Sequence, residues 1–164
     1  MSSLPKYSGC LRVRVGGVCI ENNRMLLVQL KNFGPKGYFW LPPGGGVNFG
    51  ESLEEALCRE FCEETGFQIF IDHFICINQV IKPPLHAVEF FFAVKIIAGS
   101  LQIGTDPELP LDKQIINRIA WLTWEEITQL PPAACHNLFQ YCQSLSDFLR
   151  LHGIYSYLKT DVNE

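Results

Sequence analysis

No stretch of this chain approaches the ~20 consecutive apolar residues that a membrane span requires. The opening MSSLPKYSGCLRVRV lacks the apolar core of a secretory signal, so a cytoplasmic location is expected. The seven cysteines are odd in number and irregularly placed, with no C-x-x-C pair and no Cys/His set at zinc spacing. They read as buried, reduced thiols. A global basic field is missing as well. The net charge of −4 and pI of about 5.6 argue against nucleic acid as a partner. There is no internal repeat. What the chain does have is apolar content, 48% of its 164 residues, which excludes a largely disordered polymer and suffices for one domain with its own core.

The informative stretch runs from Gly45 to Phe67, GGVNFGESLEEALCREFCEETGF. Ser52 followed by Glu55 has the form of a capping box, in which hydroxyl and carboxylate each satisfy an orphan backbone N–H. Gly66 is the left-handed stop expected just past a helix. Between them Leu53, Ala56, Leu57 and Phe61 recur at helical spacing and predict a core-facing stripe. Glu60, Glu63 and Glu64 fall at i, i+3 and i+4 and share another face. Carboxylates converging there repel one another unless a cation sits among them. Hard divalent ions take oxygen ligands, and Mg2+ usually shares its site with substrate phosphates. Arg59 is a fixed cation beside this face, able to hold a carboxylate in a bidentate grip.

Read as G-x5-E-x7-R-E-apolar-x-E-E-x-G-apolar, the segment fills every defined position: Gly45, Glu51, Arg59, Glu60, Phe61, Glu63, Glu64, Gly66 and Phe67. This pattern resembles the Nudix box of the Nudix (MutT-like) hydrolases. The approach Trp40-Leu41-Pro42-Pro43-Gly44-Gly45 is similar to that family's W-x-x-P-G-G entry. The resemblance implies an α/β fold in which a mixed β-sheet is sandwiched between helices, here the box helix and a C-terminal helix.

Taken in order, residues 1–9 read as a flexible lead-in, 10–152 as the single domain and 153–164 as a polar tail that frays. The run Cys10–Ile20 alternates Leu11, Val13 and Val15 against Arg12 and Arg14, a strand pattern. The two arginines read as solvated edge charges or as groups reaching a phosphate or nucleobase. Glu21–Arg24 predicts a tight turn and Met25–Leu30 the returning strand. Phe39 and Trp40 are aromatic candidates for stacking a base, with core packing the alternative for at least one of them. Gln68–Ile81 and Ala87–Ile97 predict strands, the second apolar enough to be central, joined by a turn over Lys82–His86. His73 and His86 are isolated and read as hydrogen-bonded or surface histidines. Residues 98–118 form a long polar connection, followed by a short strand at Ile119–Leu122 and a short helix capped by Thr123. Helical spacing of Leu138, Phe139, Cys142, Leu145, Phe148 and Leu149 predicts one long helix within 134–151.

The resemblance also implies the chemistry: hydrolysis of a nucleoside diphosphate linked to another moiety, with Mg2+ or Mn2+. It assigns Glu60, Glu63 and Glu64 as metal ligands and Gly45 as a ligand through its carbonyl. Glu51 would hold the loop or an outer metal. Arg59 would orient the carboxylates, and Arg12, Arg14, Phe39 and Trp40 stand as candidate substrate contacts. The base stays open among Glu63, Glu64, Glu108 and Asp112, because the acidic pair many relatives carry before the strand-and-tryptophan signal reads Lys113-Gln114 here. Relatives that hydrolyse ADP-ribose often place a proline about sixteen residues past the box; Pro83 falls there, although the turn itself favours proline. Two rival readings are a catalytically silent Nudix domain that senses a nucleotide and an isomerase of the isopentenyl diphosphate type. The first typically loses box glutamates, and the second relies on additional Cys and Glu. An apolar strand edge leaves a homodimer open.

Overall fold

The computed structural model describes residues 9–104 and 114–158. Nine strands occur among them: β1 (Leu11–Val18), β2 (Ile20–Glu21), β3 (Arg24–Lys31), β4 (Tyr38–Leu41), β5 (Gly44–Gly46), β6 (Phe67–Lys82), β7 (Leu85–Gly99), β8 (Ile116–Leu122) and β9 (Ile154–Leu158). Helix α1 (Leu53–Thr65) lies between β5 and β6, and the short α2 (Trp124–Thr128) and α3 (Leu145–Phe148) follow β8. The larger sheet is mixed, in the order β5-β1-β7-β6-β9, with β1·β7 and β6·β9 parallel and the other pairs antiparallel. The smaller is antiparallel and centred on β3, which pairs β2 and β4 through its two ends and β8 along most of its length. This is an α/β architecture. No described helix is long and apolar enough to cross a membrane.

Strand alternation divides the core in two. On one side Leu26, Val28, Phe92 and Val94 pack with Ala56, Leu57 and Phe61 of α1. On the other Met25, Leu27, Phe91 and Ala93 pack with Leu138, Phe139, Leu145 and Phe148 of the C-terminal segment. Central strands therefore read as continuous apolar runs because both of their faces are covered. The hairpin from β2 to β3 turns through Asn22 and Asn23, both at positive φ, a conformation their short polar side chains tolerate.

The box helix is set by its own sequence. Ser52 Oγ accepts from Glu55 N at 3.1 Å while Glu55 Oε2 accepts from Ser52 N at 2.8 Å. Gly66 ends the helix at φ 78°, and its N–H reaches Cys62 O. The glycines of the W-x-x-P-G-G-like entry lie in the short strand β5, paired with Arg14–Gly16 of β1.

Two expectations fail at the C-terminal end. The predicted long helix is replaced by 3-10 turns at Pro132–Ala134 and Asn137–Tyr141 and by the four-residue α3. Side chains compete here with helical hydrogen bonding: His136 Nδ1 accepts from Leu138 N, and Ser144 Oγ accepts from Asp147 N to start α3. The polar tail from residue 153 does not fray through 158. Residues 154–158 form β9 against Ile77–Ile81, and Gly153 O accepts from Ile77 N at 3.0 Å. Tyr155 gives this strand an anchor, its ring 4.7 Å from that of Tyr141. The lead-in at 1–8 and the stretch 105–113, with Glu108, Asp112 and Lys113, lie outside the described residues, as do 159–164.

Candidate active site

Helix α1 presents its acidic face to β5, and one cation organises the junction. Arg59 donates to both oxygens of Glu51, from Nε at 2.7 Å and from Nη2 at 2.9 Å. Its Nη1 lies 3.0 Å from Glu60 Oε1 and 3.3 Å from Glu63 Oε2, and its Nη2 also donates to Gly46 O at 3.0 Å. Planar guanidinium geometry allows this spread of contacts, which a lysine could not reproduce. Glu64 Oε2 accepts from Gly44 N at 2.9 Å and so ties the helix to the other end of β5. Gly45 sits between these two ties. A Cβ there would lie inside the Glu60 carboxylate, so only glycine admits that acid so close to the backbone.

The electrostatics separate the acids. Hydrogen bonds from Arg59 hold Glu51 down to about 2. Burial pushes Glu60 above the ordinary carboxylate range and outweighs the opposing contact with Arg59. No group of three or more His, Cys, Asp or Glu side chains among the described residues stands in metal-holding geometry, because these carboxylates are drawn to Arg59 and to Gly44. The donors nonetheless suit a hard divalent ion. All are oxygens, and Mg2+ usually takes one or two carboxylates and leaves its other positions to water and phosphate.

A second polar cluster lies across β1, β7 and β6. Arg14, Glu89 and Asn78 are register partners in one row of the sheet. Arg14 Nε stands 3.5 Å from Glu89 Oε1. Glu89 Oε2 is 2.9 Å from His136 Nε2 and accepts from Asn78 Nδ2, also at 2.9 Å. Asn78 and Asn137 exchange amide hydrogen bonds at 3.1 and 2.8 Å. Burial would raise Glu89, but His136 and Arg14 hold it near 2.

Residues 11–140 match the family model of the NUDIX domain. The chain belongs to the Nudix family. It is similar to the ADP-ribose pyrophosphatase of Methanocaldococcus jannaschii, 36% identical over 96 residues, which are 57% of this chain and 56% of that protein. It is also similar to Nudix hydrolase 2 of Arabidopsis thaliana, 30% identical over 132 residues, 79% of this chain and 45% of that one. The chain spans about half the length of these curated relatives. Among solved structures, a NUDIX hydrolase from Nitrosomonas europaea shares the fold at a TM-score of 0.68, with 23% identity over 87% of this chain and 93% of that one.

Within this Nudix domain the box residues Gly45, Glu51, Arg59, Glu60, Glu63 and Glu64 gather at one junction, but the flanking candidates divide. Trp40 is 3% exposed in the core beneath the C-terminal segment, with the Arg118 guanidinium 5.9 Å from its ring centre, so it offers no face to a base. Phe39 is half-buried and packs on Phe33 at 5.5 Å. Arg12 and Arg14 are not solvated edge charges. Leu11 and Val13 are the exposed members of β1, and both arginines are half-buried. For Arg14 the inversion follows from Glu89, a partner that alternation within β1 cannot reveal. The thiol expectation holds for Cys19, Cys76, Cys135 and Cys142, whereas Cys10, Cys58 and Cys62 are exposed; all seven are free. His73 and His86 are hydrogen-bonded, to Asp72 and Gln79.

Sequence reasoning missed Glu89, His136, Asn78 and Asn137, whose only signal was polarity inside apolar runs. It also missed how the segment after β7 docks on the end of α1, where Gln102 N donates to Thr65 O and Gly104 N to Glu64 O.

Acid sensitivity follows from Glu51. Its folded value of about 2 lies below the ordinary 4.5, so the unfolded chain binds more protons as pH falls between the two. The stability that Glu51 contributes is complete above about 4.5 and is lost towards about 2. Glu60, raised by burial, contributes with the opposite sign, so the informative quantity is a difference. Urea midpoints at pH 5 and pH 3 should fall more in wild type than in Glu51→Gln; equal falls would contradict the linkage.

Proposed function

We propose that this protein is a pyrophosphohydrolase that cleaves a nucleoside diphosphate linked to another moiety, with Mg2+ or Mn2+ as cofactor. The observation that carries the reading is the junction of α1 with β5: Glu60 set against Gly45, Glu63 beside it, and Arg59 cross-linking both to Glu51. Glu60, Glu63 and Glu64 would hold the ion with the Gly45 carbonyl, and the bound ion would neutralise pyrophosphate charge and lower the pKa of the attacking water.

The chain's own groups do the remaining work. Arg59 keeps mutually repelling carboxylates in register without touching substrate. Glu63 or Glu64 accepts the proton of the water that attacks phosphorus in line, and the other phosphate leaves with the P–O bond electrons. Arg14, on the strand next to β5, supplies positive charge for the phosphates. ADP-ribose is the first substrate to test, supported by the name of the archaeal relative and by the position of Pro83.

The test is a substrate panel of ADP-ribose, nucleotide sugars, nucleoside triphosphates and dinucleoside polyphosphates, with Mg2+, with Mn2+ and with EDTA. Metal-dependent release of a nucleoside monophosphate from one or a few compounds is expected. Nucleotide binding without turnover anywhere on the panel would overturn the enzyme and leave a nucleotide sensor.

A further inference from the structure

Arg14 is tied down in an unusual way. Its side chain is 19% exposed, and its closest approach to Glu89, its ion-pair partner among the described residues, is through Nε at 3.5 Å. Its two terminal nitrogens, the pair best suited to an oxyanion, make no hydrogen bond to a described residue. No buried side-chain nitrogen or oxygen among the described residues lacks a partner, so any terminal nitrogen of Arg14 without one faces solvent, where an arriving oxyanion can replace water. Arg14 is also the register partner of Gly46, whose carbonyl holds Arg59, and its charge reaches Glu60. Arg14 therefore stands on the strand beside the β5–α1 junction that gathers the box carboxylates.

Glu89 is fixed far more firmly than Arg14. It is 8% exposed and is gripped by His136, itself 5% exposed, and by the fully buried Asn78. Asn78 is locked in turn to Asn137 of the C-terminal segment. Among the described residues no buried side-chain polar atom is left unsatisfied, so this network is complete. Buried ionic groups are weak evidence for stability, since well-packed apolar residues often serve as well. Their presence here calls for another reason.

We propose that Glu89, anchored by His136 and Asn78, is a positioning residue that holds Arg14 by its Nε side so that the two terminal nitrogens take a phosphate oxygen of the bound nucleotide diphosphate. The inference rests on the proposed function and adds to it a role for the C-terminal segment. His136 and Asn137 do not touch substrate; they set how tightly substrate is held.

A double-mutant cycle on ADP-ribose tests this, read as KM and kcat with Mg2+ and as Kd by calorimetry in EDTA. Arg14→Ala should weaken binding on the order of tenfold or more, the scale of a charge-assisted hydrogen bond. Glu89→Gln should weaken it several-fold, with the loss in KM rather than kcat, and should add almost nothing when Arg14 is already alanine. An equal loss in both backgrounds would overturn the proposal and reduce the network to scaffolding. If Glu89→Gln lowers the melting temperature too far to assay, His136→Gln takes its place in the same cycle with the same two outcomes. Failure of wild type to bind or turn over ADP-ribose or any other compound of the panel overturns the functional reading itself, whereas wild-type turnover with an additive cycle overturns only the positioning role.

Discussion

Replacing Glu63 or Glu64 by glutamine should lower kcat by about 10²- to 10⁴-fold in at least one of the two variants, the range over which a positioned acid–base group contributes. Glutamine keeps the shape and one acceptor oxygen and removes the charge, so the fold should survive both changes. The two positions are not equivalent. Glu64 already spends an oxygen on Gly44 N–H, a bond that the glutamine oxygen can keep. Glu63 meets Arg59 at 3.3 Å, the longest of that guanidinium's carboxylate contacts, and is the easier of the two to release to a metal or a water. A large loss at Glu63 with a smaller one at Glu64 would assign the base to Glu63, and the reverse would assign it to Glu64. Melting temperatures measured beside the kinetics separate lost chemistry from lost structure. Near-wild-type kcat in both variants would remove the box carboxylates from the reaction.

Phe148→Ala should cost about 3–5 kcal/mol of unfolding free energy, the usual range for removing a fully buried aromatic ring. The ring is 0% exposed and makes edge-on contacts with Phe91 of β7 at 6.2 Å and with Phe139 at 5.2 Å. Equilibrium unfolding in guanidinium chloride is the check. A loss below about 1 kcal/mol would mean that the C-terminal segment rests on the sheet without supporting it, far outside the range expected for such a site. It would also weaken the case that His136 and Asn137 fix Glu89 from the same segment.

That segment shows what could be read in advance. Its apolar positions are buried as the periodicity predicts: Leu138, Phe139, Cys142, Leu145 and Phe148 all lie in one core. Its backbone is not the predicted helix, because spacings of three and four residues serve 3-10 turns and short capped pieces equally well. Periodicity reported which residues face inward and not which hydrogen bonds the backbone makes. The same limit appears in β1, where alternation was legible but its sense was not. Arg14 turns inward because Glu89 lies on a neighbouring strand distant in sequence, and Arg12 is half-buried beside it, while Leu11 and Val13 take the exposed side.

The box helix is the opposite case. Its cap, its stop and its buried stripe are decided by residues within a few positions of one another, and Ser52, Glu55, Gly66, Ala56, Leu57 and Phe61 behave as their spacing requires. The cross-link from Arg59 to Glu51 spans eight residues and is still local in space, so the acidic face was readable together with its cation. What local sequence could not supply was contact over long separations, including β9 on β6 and the docking of Gly104 on Glu64.

The most direct test of the central claim is metal binding at the acidic face. Mn2+ would be titrated into the protein, with the α,β-methylene analogue of ADP-ribose present, and free ion followed by electron paramagnetic resonance. Saturable binding by wild type that is largely lost in Glu60→Gln and Glu63→Gln, with both variants folded, is the predicted result. Equal binding by wild type and variants, or none by wild type, would contradict a metal site built on the α1 carboxylates.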